Sequence, residues 1–346
     1  MRSETGGVDY RATGVDLDAA ERAKEGLREL IARTRDTNTL SELGSFGGLY
    51  AVPDGARRPV LVSSADGVGT KLKVAFQSGR HDTIGRDLVN HCVNDILVQG
   101  ARPLFFLDYL ATGVLDGAVV QDVVRGVAEA CIDNGCALLG GETAQMPDFY
   151  AAGEYDLAGF IVGLVERDHL VDGSAIREGD ALVALGSSGL HTNGYTLARH
   201  IVFERAGLAL GDELPGTGAA VVDVLLSVHR SYRSALLPEI EAGIVRGLAH
   251  ITGGGIPGNL PRVLPAGLGA RVDTRSWDVP AVFGWLQEAG GVETAEMYRV
   301  FNMGVGMIVV VRPEDVDGLV ERVRAAGEQA WLCGSVVAGH GVDLRS

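Results

Sequence analysis

Residues 59–73 read PVLVSSADGVGTKLK. The first four are apolar and include two β-branched valines, so the stretch begins as a buried strand. Within the six positions 66–71 it then brings together a carboxylate (Asp66), two turn formers (Gly67, Gly69), a hydroxyl (Thr70) and an ammonium (Lys71). A carboxylate at the mouth of a buried strand is costly to desolvate unless it is paired, hydrogen-bonded or on a metal. Glycines beside it let backbone amides turn toward an anion, and a lysine adds a point charge. The reading is a strand that delivers a phosphate and metal site. The plainer alternative is a glycine turn in which Asp66 caps its own backbone. Neither GxxxxGK[ST] nor GxGxxG is matched.

Outward from this stretch, strands and helices alternate. Upstream, GVDLDAAERAKEGLRELIARTR (14–35) places Leu17, Ala20, Ala23, Leu27, Leu30 and Ile31 at helical spacing, with Asp16 as N-cap, and GSFGGLYAVP (44–53) is a glycine-rich loop. Downstream come a helix at 85–100, a strand at 103–113, a helix at 117–135 and strands at 136–142 and 155–166. The polar stretch 167–180 reads as a connection. A second unit opens with strand 181–186, loop SSGLHTNG (187–194) and helix 195–207. It closes with strand, helix and strand over 305–339, Pro313 starting that helix and Gly327 ending it. The expectation is a mixed α/β (α+β) protein of two domains, 1–170 and 171–346.

Composition limits the function. The 346 residues hold 45 acidic against 30 basic side chains, a formal charge of −15, which gives no broad field for nucleic acid or anionic lipid. Any phosphate must be held locally. Cys92, Cys131, Cys136 and Cys333 lack CxxC or Cys/His zinc spacing and read as buried thiols. The opening MRSETGGVDYRATG has no signal-type apolar core, and no run approaches the roughly 18 apolar residues of a membrane span. A soluble, cytoplasmic protein is expected.

Two further elements carry polar side chains where apolar ones are usual. On helix 85–100, Leu88, Val89, Cys92, Val93, Ile96 and Leu97 form one face, while His91, Asp95 and Gln99 align beside Asn90 and Asn94. Residues 88–100 contain no lysine or glutamate, so a polar cavity suits this face better than open solvent. Glu142 follows two glycines at the end of strand 136–142. Asp66, Asp95 and Glu142 are together the oxygen ligands a Mg²⁺ site would take. GSSGLHTNGY (186–195) and HITGGGIPGN (250–259) each put small and hydroxyl residues at a helix start beside a histidine, His191 or His250, as an anion site requires. GxSxG, HExxH and catalytic-cysteine signatures are missing.

These motifs occur in one order: LGSFGGLYAVP, DGVGTK, HDTIG, HCVNDILVQGARPLFFLDYLATG, GGETAQMP, LGSSGLHTNGY, HITGGGIPGNLPRVLP and EMYRVFNMGVGM. In that order the chain resembles the phosphoribosylformylglycinamidine cyclo-ligases, the aminoimidazole ribonucleotide synthetases of purine biosynthesis, over nearly its whole length. The resemblance implies an N-terminal domain whose strands form a barrel across a homodimer, beside a C-terminal α/β domain with a mixed sheet. It implies that ATP activates the formamide oxygen of formylglycinamidine ribonucleotide, an amidine nitrogen closes the ring, and ADP and phosphate leave. Carried over by motif, Asp66, Asp95 and Glu142 are the Mg²⁺ ligands. Phe46, Gly47, Gly48, Gly67, Gly69, Thr70, His81, Asp82 and Thr83 would serve ATP. Ser188, Asn193, Thr252, Gly253 and Gly254 would serve the substrate, and Lys71, His191 and His250 the catalysis. The chain departs from the pattern at SVHRSY (227–232), where Val228 and His229 replace a usual Pro-Thr pair, and at Gln145, where glutamate is common.

The resemblance extends to selenophosphate synthetase, thiamine-monophosphate kinase and a hydrogenase-maturation dehydratase. The first 91 residues hold no cysteine and the chain ends VDLRS, which disfavours the first and the last of these. A different class, a nucleotide-binding regulator without turnover, would bind ATP but release no ADP on addition of the ribonucleotide.

Overall fold

A computed structural model of the chain describes residues 27–42 and 44–345. The expected first helix falls largely outside them, and its last turn is seen as Arg28–Ala32. Two sheets organise the rest.

The first sheet holds β1 (Pro59–Gly67), β2 (Arg102–Thr112), β3 (Ala137–Gln145) and β4 (Tyr155–Glu166) in the order β1-β4-β2-β3. Alternation along β4 and β2 assigns the two faces. Leu157, Ile161, Phe106, Asp108 and Leu110 turn under helices α1 (Ile84–Leu97) and α2 (Gly117–Asp133) and are buried. Helix α1 buries Leu88, Val89, Cys92, Val93 and Ile96 completely, and each such side chain contributes about 1.5–3 kcal/mol. Helix α2 starts where Asp116 accepts from the amides of Ala118 and Val119. The two helices meet where Gly85 and Gly126 allow the backbones to touch, since a Cβ on Gly85 would lie 2.1 Å from the Val123 carbonyl. On the other face of the sheet Leu61, Ala65 and Phe160 are exposed and Phe105, Leu107 and Tyr109 only half-covered.

The second sheet is six-stranded and mixed. β5 (Ala181–Gly186), β8 (Gly247–His250), β9 (Leu268–Asp273), β10 (Val305–Val311), β11 (Ala330–Ala338) and β12 (Val342–Arg345) lie in the order β12-β9-β11-β5-β10-β8. Only the β12–β9 pair is parallel. β10 is buried throughout and divides its side chains between two cores: Met307, Val309 and Val311 on one face, Ile308 and Val310 on the other. A hairpin of β6 (Glu213–Leu214) and β7 (Ala219–Ala220) and the helices over 281–300 had no clear signal in the sequence. The halves share apolar packing, since Val68, Leu72 and Ile84 belong to one cluster with Leu190, Tyr195, Leu225 and Phe283. Among the described residues no helix is long and apolar enough to cross a membrane.

Candidate active site between the two sheets

The end of β1, the polar stripe of α1 and the loops after β5 and β8 converge on a cluster of histidines. Asp66 Oδ1 accepts its neighbour Gly67 N–H at 2.7 Å, and Asp66 Oδ2 lies 2.8 Å from His91 Nε2. Asp95 Oδ2 is 3.7 Å from the same nitrogen and accepts from Ser64 Oγ, while Asp95 Oδ1 sits 2.9 Å from His250 Nδ1. Burial alone would raise both carboxyl pKa values, but hydrogen bonds and charge from His91 and His250 hold them below the usual range. Burial likewise opposes charge on His91, yet its bond to Asp66 and the charges of Asp95 and Asp66 lift it above 6.5.

The side chains of Asp66 and Asp95 remain 46% and 24% exposed. A carboxylate has about four acceptor positions, so each keeps free lone pairs. Two hard oxygen donors beside one imidazole fit Mg²⁺.

The loop SSGLHTN carries His191 in a left-handed conformation (φ 61°), unusual for a non-glycine residue. Its Nε2 accepts from the Ser188 amide at 3.2 Å, so Nδ1 carries the proton, and this buried donor has no partner. His191 stacks on His229, ring centroids 4.0 Å apart and planes 20° from parallel. Although His191, His229 and His250 crowd together, stacked planes keep in-plane lone pairs from converging on one ion. His229 and His250 bring their Nε2 atoms to 3.1 Å, and His191 joins them by stacking. Burial holds all three below 6.5, His191 and His229 well below. Gly255 in the second loop could not be replaced, because a Cβ there would meet the Tyr298 carbonyl at 1.8 Å.

Comparison with known proteins fits this architecture. Residues 50–165 match the family described as AIR synthase related protein, N-terminal domain, and residues 177–346 match its C-terminal domain. A phosphoribosylformylglycinamidine cyclo-ligase from Sorangium cellulosum is 54% identical over 333 residues, 96% of each chain. The chain belongs to the phosphoribosylformylglycinamidine cyclo-ligase family. The cyclo-ligase of Trichlorobacter lovleyi is 52% identical over 328 residues, 94% of each chain. In fold, the chain is similar to thiamine-monophosphate kinase from Stenotrophomonas maltophilia (TM-score 0.69, 17% identity, 91% of this chain and 94% of that one). It is also similar to the hydrogenase maturation protein HypE in complex with ATP (TM-score 0.62, 20% identity, 92% and 87%).

For this cyclo-ligase homologue the structure gathers some of the expected site residues and separates others. Asp66, Asp95, His191 and His250 meet at the cluster. Gly69 and Thr70 line an open cleft with Asn193 and Thr196, the Thr70 and Thr196 hydroxyls 2.9 Å apart. Ser188 Oγ donates to the Val228 carbonyl, and Gly253 lies against Asn193, placing Thr252 and Gly254 at the rim.

Lys71 needs correction. It is fully buried, ion-paired to Asp87 at 2.8 Å, and donates to the carbonyls of His191 and Ser227. Its donors are committed, and no face is left for a phosphate. Burial pushes the Lys71 pKa down and that of Asp87 up, while their mutual attraction opposes both shifts. Lys71 is an internal clasp between the sheets.

Glu142 also needs correction as a third ligand within one chain. Asp66, Gly159, Asp108 and Gly141 form one row across the sheet, and Glu142 lies in the next row, on the opposite face. β1 and β3 are the two edges, three strand spacings or about 14 Å apart. Glu142 instead lines a cleft of about 590 Å³ with Phe46, Gly47, Gly48 and Phe160.

His81, Asp82 and Thr83 precede α1, and His81 Nδ1 meets the Tyr155 hydroxyl at 3.0 Å. His81 lies ten residues before His91, more than two helical turns away, so these three do not reach the Asp66 cluster.

The sequence reading passed over Asp87 and Thr192. Asp87 extends the polar stripe one turn toward the helix start, a signal open to the same projection. Asp108, at 8% exposure and pushed up to about 7 by burial, was hidden inside an apolar run.

Proposed function

We infer that this protein is an ATP-dependent phosphoribosylformylglycinamidine cyclo-ligase. The observation that carries the reading is the meeting of Asp66 and Asp95 at His91, beneath loops 187–194 and 250–255, in a chain whose full-length relatives bear that enzyme's name.

The chemistry calls for these parts. An amide oxygen is a poor leaving group, and phosphorylation turns it into a good one. Asp66 and Asp95 would hold Mg²⁺, which supplies charge neutralisation between phosphate oxygens. Amides of the Gly67–Thr70 turn and of loops 187–194 and 250–255 would hold phosphate oxygens. Ser188, Asn193, Thr252, Gly253 and Gly254 would orient the ribonucleotide, and Phe46–Gly48 would close over the base of ATP. Of the two histidines assigned to the catalysis, His191 would offer its unpartnered Nδ1–H toward the reacting groups, and His250 would act through its bond to Asp95. Residues 1–170 would form the nucleotide and dimer domain, and 171–346 the substrate domain.

The uncovered face carrying Leu61, Phe105 and Phe160 suits a second copy of the chain, with strands of two copies closing a barrel, and a cytoplasmic homodimer is the assembly proposed. The test is a coupled assay with purified protein, ATP and formylglycinamidine ribonucleotide. Expected is ADP release that depends on both the ribonucleotide and Mg²⁺, in step with imidazole-ring formation. ATP binding without ribonucleotide-dependent ADP would retire the enzyme reading in favour of a nucleotide-binding regulator.

A further inference from the structure

The Lys71 ammonium lies where three segments of the two halves meet. Its Nζ is 2.8 Å from Asp87 Oδ2 on α1, donates to the His191 carbonyl at 3.2 Å in the loop after β5, and donates to the Ser227 carbonyl at 2.7 Å at the start of segment 227–232. The Tyr195 ring covers a further side, its centroid 5.6 Å from Nζ. An ammonium has three N–H donors, and here each reaches a different segment. Hydroxyls join the same two loops directly. Ser227 Oγ donates to the Ser188 carbonyl at 2.7 Å, and Ser188 Oγ donates to that of Val228.

The carbonyl held by Lys71 belongs to the one non-glycine residue of loop 187–194 with a left-handed backbone, His191 at φ 61°. Such a backbone is costly without a glycine and persists only where the surroundings impose it. What the turn achieves is placement of the ring. His191 Nε2 accepts from the Ser188 amide at 3.2 Å, the ring stacks on His229, and Cε1 packs against Gly306, where a Cβ would come within 2.7 Å of it. Nδ1 is left as a buried donor with no partner among the described residues. Lys71 anchors this turn from outside its own loop, and Asp87 fixes the anchor to α1.

We propose that Lys71 is a positioning residue of this active site: its bond to the His191 carbonyl holds the left-handed turn that presents the His191 ring, and its bond to Ser227 locks that turn to segment 227–232. The catalytic consequence rests on the cyclo-ligase reading, with His191 serving the catalysis. The backbone consequence does not.

A clasp that only held the sheets together would be replaceable by apolar side chains of similar volume. A residue that holds a turn is not replaceable in this way, because methionine and leucine donate nothing to the two carbonyls.

The full chain carrying Lys71→Met with Asp87→Leu separates these roles. With both charges removed it should fold, yet kcat should drop about 10- to 100-fold with KM for ATP and for the ribonucleotide within about twofold, the scale on which losing a partner that orients a site residue is felt. Its crystal structure should show His191 outside the left-handed region. His191→Asn supplies a second background, since asparagine tolerates the left-handed backbone but lacks the imidazole. Adding the Lys71→Met and Asp87→Leu pair to it should lower kcat by less than about twofold more, because effects of residues that act through one another do not add.

Should the pair variant fail to fold, Lys71→Met with Asp87→Asn, which keeps an oxygen for the His229 amide, takes its place in each comparison. A folded pair variant with the wild-type kcat, an equal loss of kcat in the native and His191→Asn backgrounds, or an unmoved His191 turn would overturn the proposal. Native protein with no ribonucleotide-dependent ADP release would remove the cyclo-ligase reading instead, and the crystal structure of the pair variant would still decide whether Lys71 holds the turn.

Discussion

The ends of β1 and β3 carry similar short signatures, Ala-Asp-Gly at 65–67 and Gly-Gly-Glu at 140–142, yet their surroundings differ. At β1 the carboxylate meets an imidazole from α1 and the Gly67 amide, so its charge is compensated and its orientation fixed. At β3 the carboxylate turns to the uncovered face and borders a wide apolar cleft below the Phe46 loop. Strand position within the sheet, and not the local tripeptide, decides which carboxylate can join the histidines. The lesson extends to Lys71, five residues after Asp66, where one turn of backbone separates a half-exposed carboxylate from a sealed ion pair.

The largest effect should come from breaking that pair. Lys71→Met or Asp87→Leu leaves one buried charge without its partner and should cost about 3–5 kcal/mol of stability, read by thermal or denaturant unfolding. The double replacement should recover much of the loss. If Lys71→Met instead folds with wild-type stability and loses ATP affinity, the lysine serves phosphate and the contrast between site and clasp fails.

Asp108 comes next. Burial pushes its pKa up to about 7, so the native state holds a proton that the unfolded chain releases above about 3.8. Stability therefore falls as pH rises through this window and levels off above 7. Asp108→Asn should be more stable than wild type by on the order of 2 kcal/mol at pH 8, with the gain vanishing near pH 4. An equal effect at both pH values would mean that the Asp108 carboxyl is not held protonated by its burial.

A smaller effect concerns the histidine cluster. His191 and His229 have native pKa values well below 6.5, so between those values and 6.5 the unfolded chain binds more protons than the native one. Stability on their account is complete above pH 6.5 and is lost as pH falls below it. The melting temperature should decline from pH 6.5 to 5, and less steeply in His229→Leu. A flat profile would imply that solvent reaches the cluster.

Much of this was legible in the sequence. β1, β2, β4, β5 and β10, the helices beside them, and the polar stripe of α1 all follow from periodicity, because each element packs against its neighbour through one face. Asp66, Asp95, His191 and His250, which the fold brings together, are legible because each stands out against an apolar or glycine-rich setting. Lys71 and Glu142 were misplaced for a different reason. Whether a strand is an edge, and what lies beyond a turn, depends on pairing between segments a hundred residues apart, which no local pattern records. His229 stood out only as a departure from the resembling family, and its partners Thr192 and His250 lie 37 and 21 residues away.

The most direct test of the central claim compares Asp95→Asn with Glu142→Gln in one assay of ribonucleotide-dependent ADP release. Asp95→Asn keeps the shape and the Ser64 contact but removes a charge beside His91 and His250. It should fold normally and lose about 100-fold or more in kcat, the scale on which losing one preorganised electrostatic group is felt. Glu142→Gln should lose less. An Asp95→Asn enzyme turning over at the wild-type rate would contradict the account.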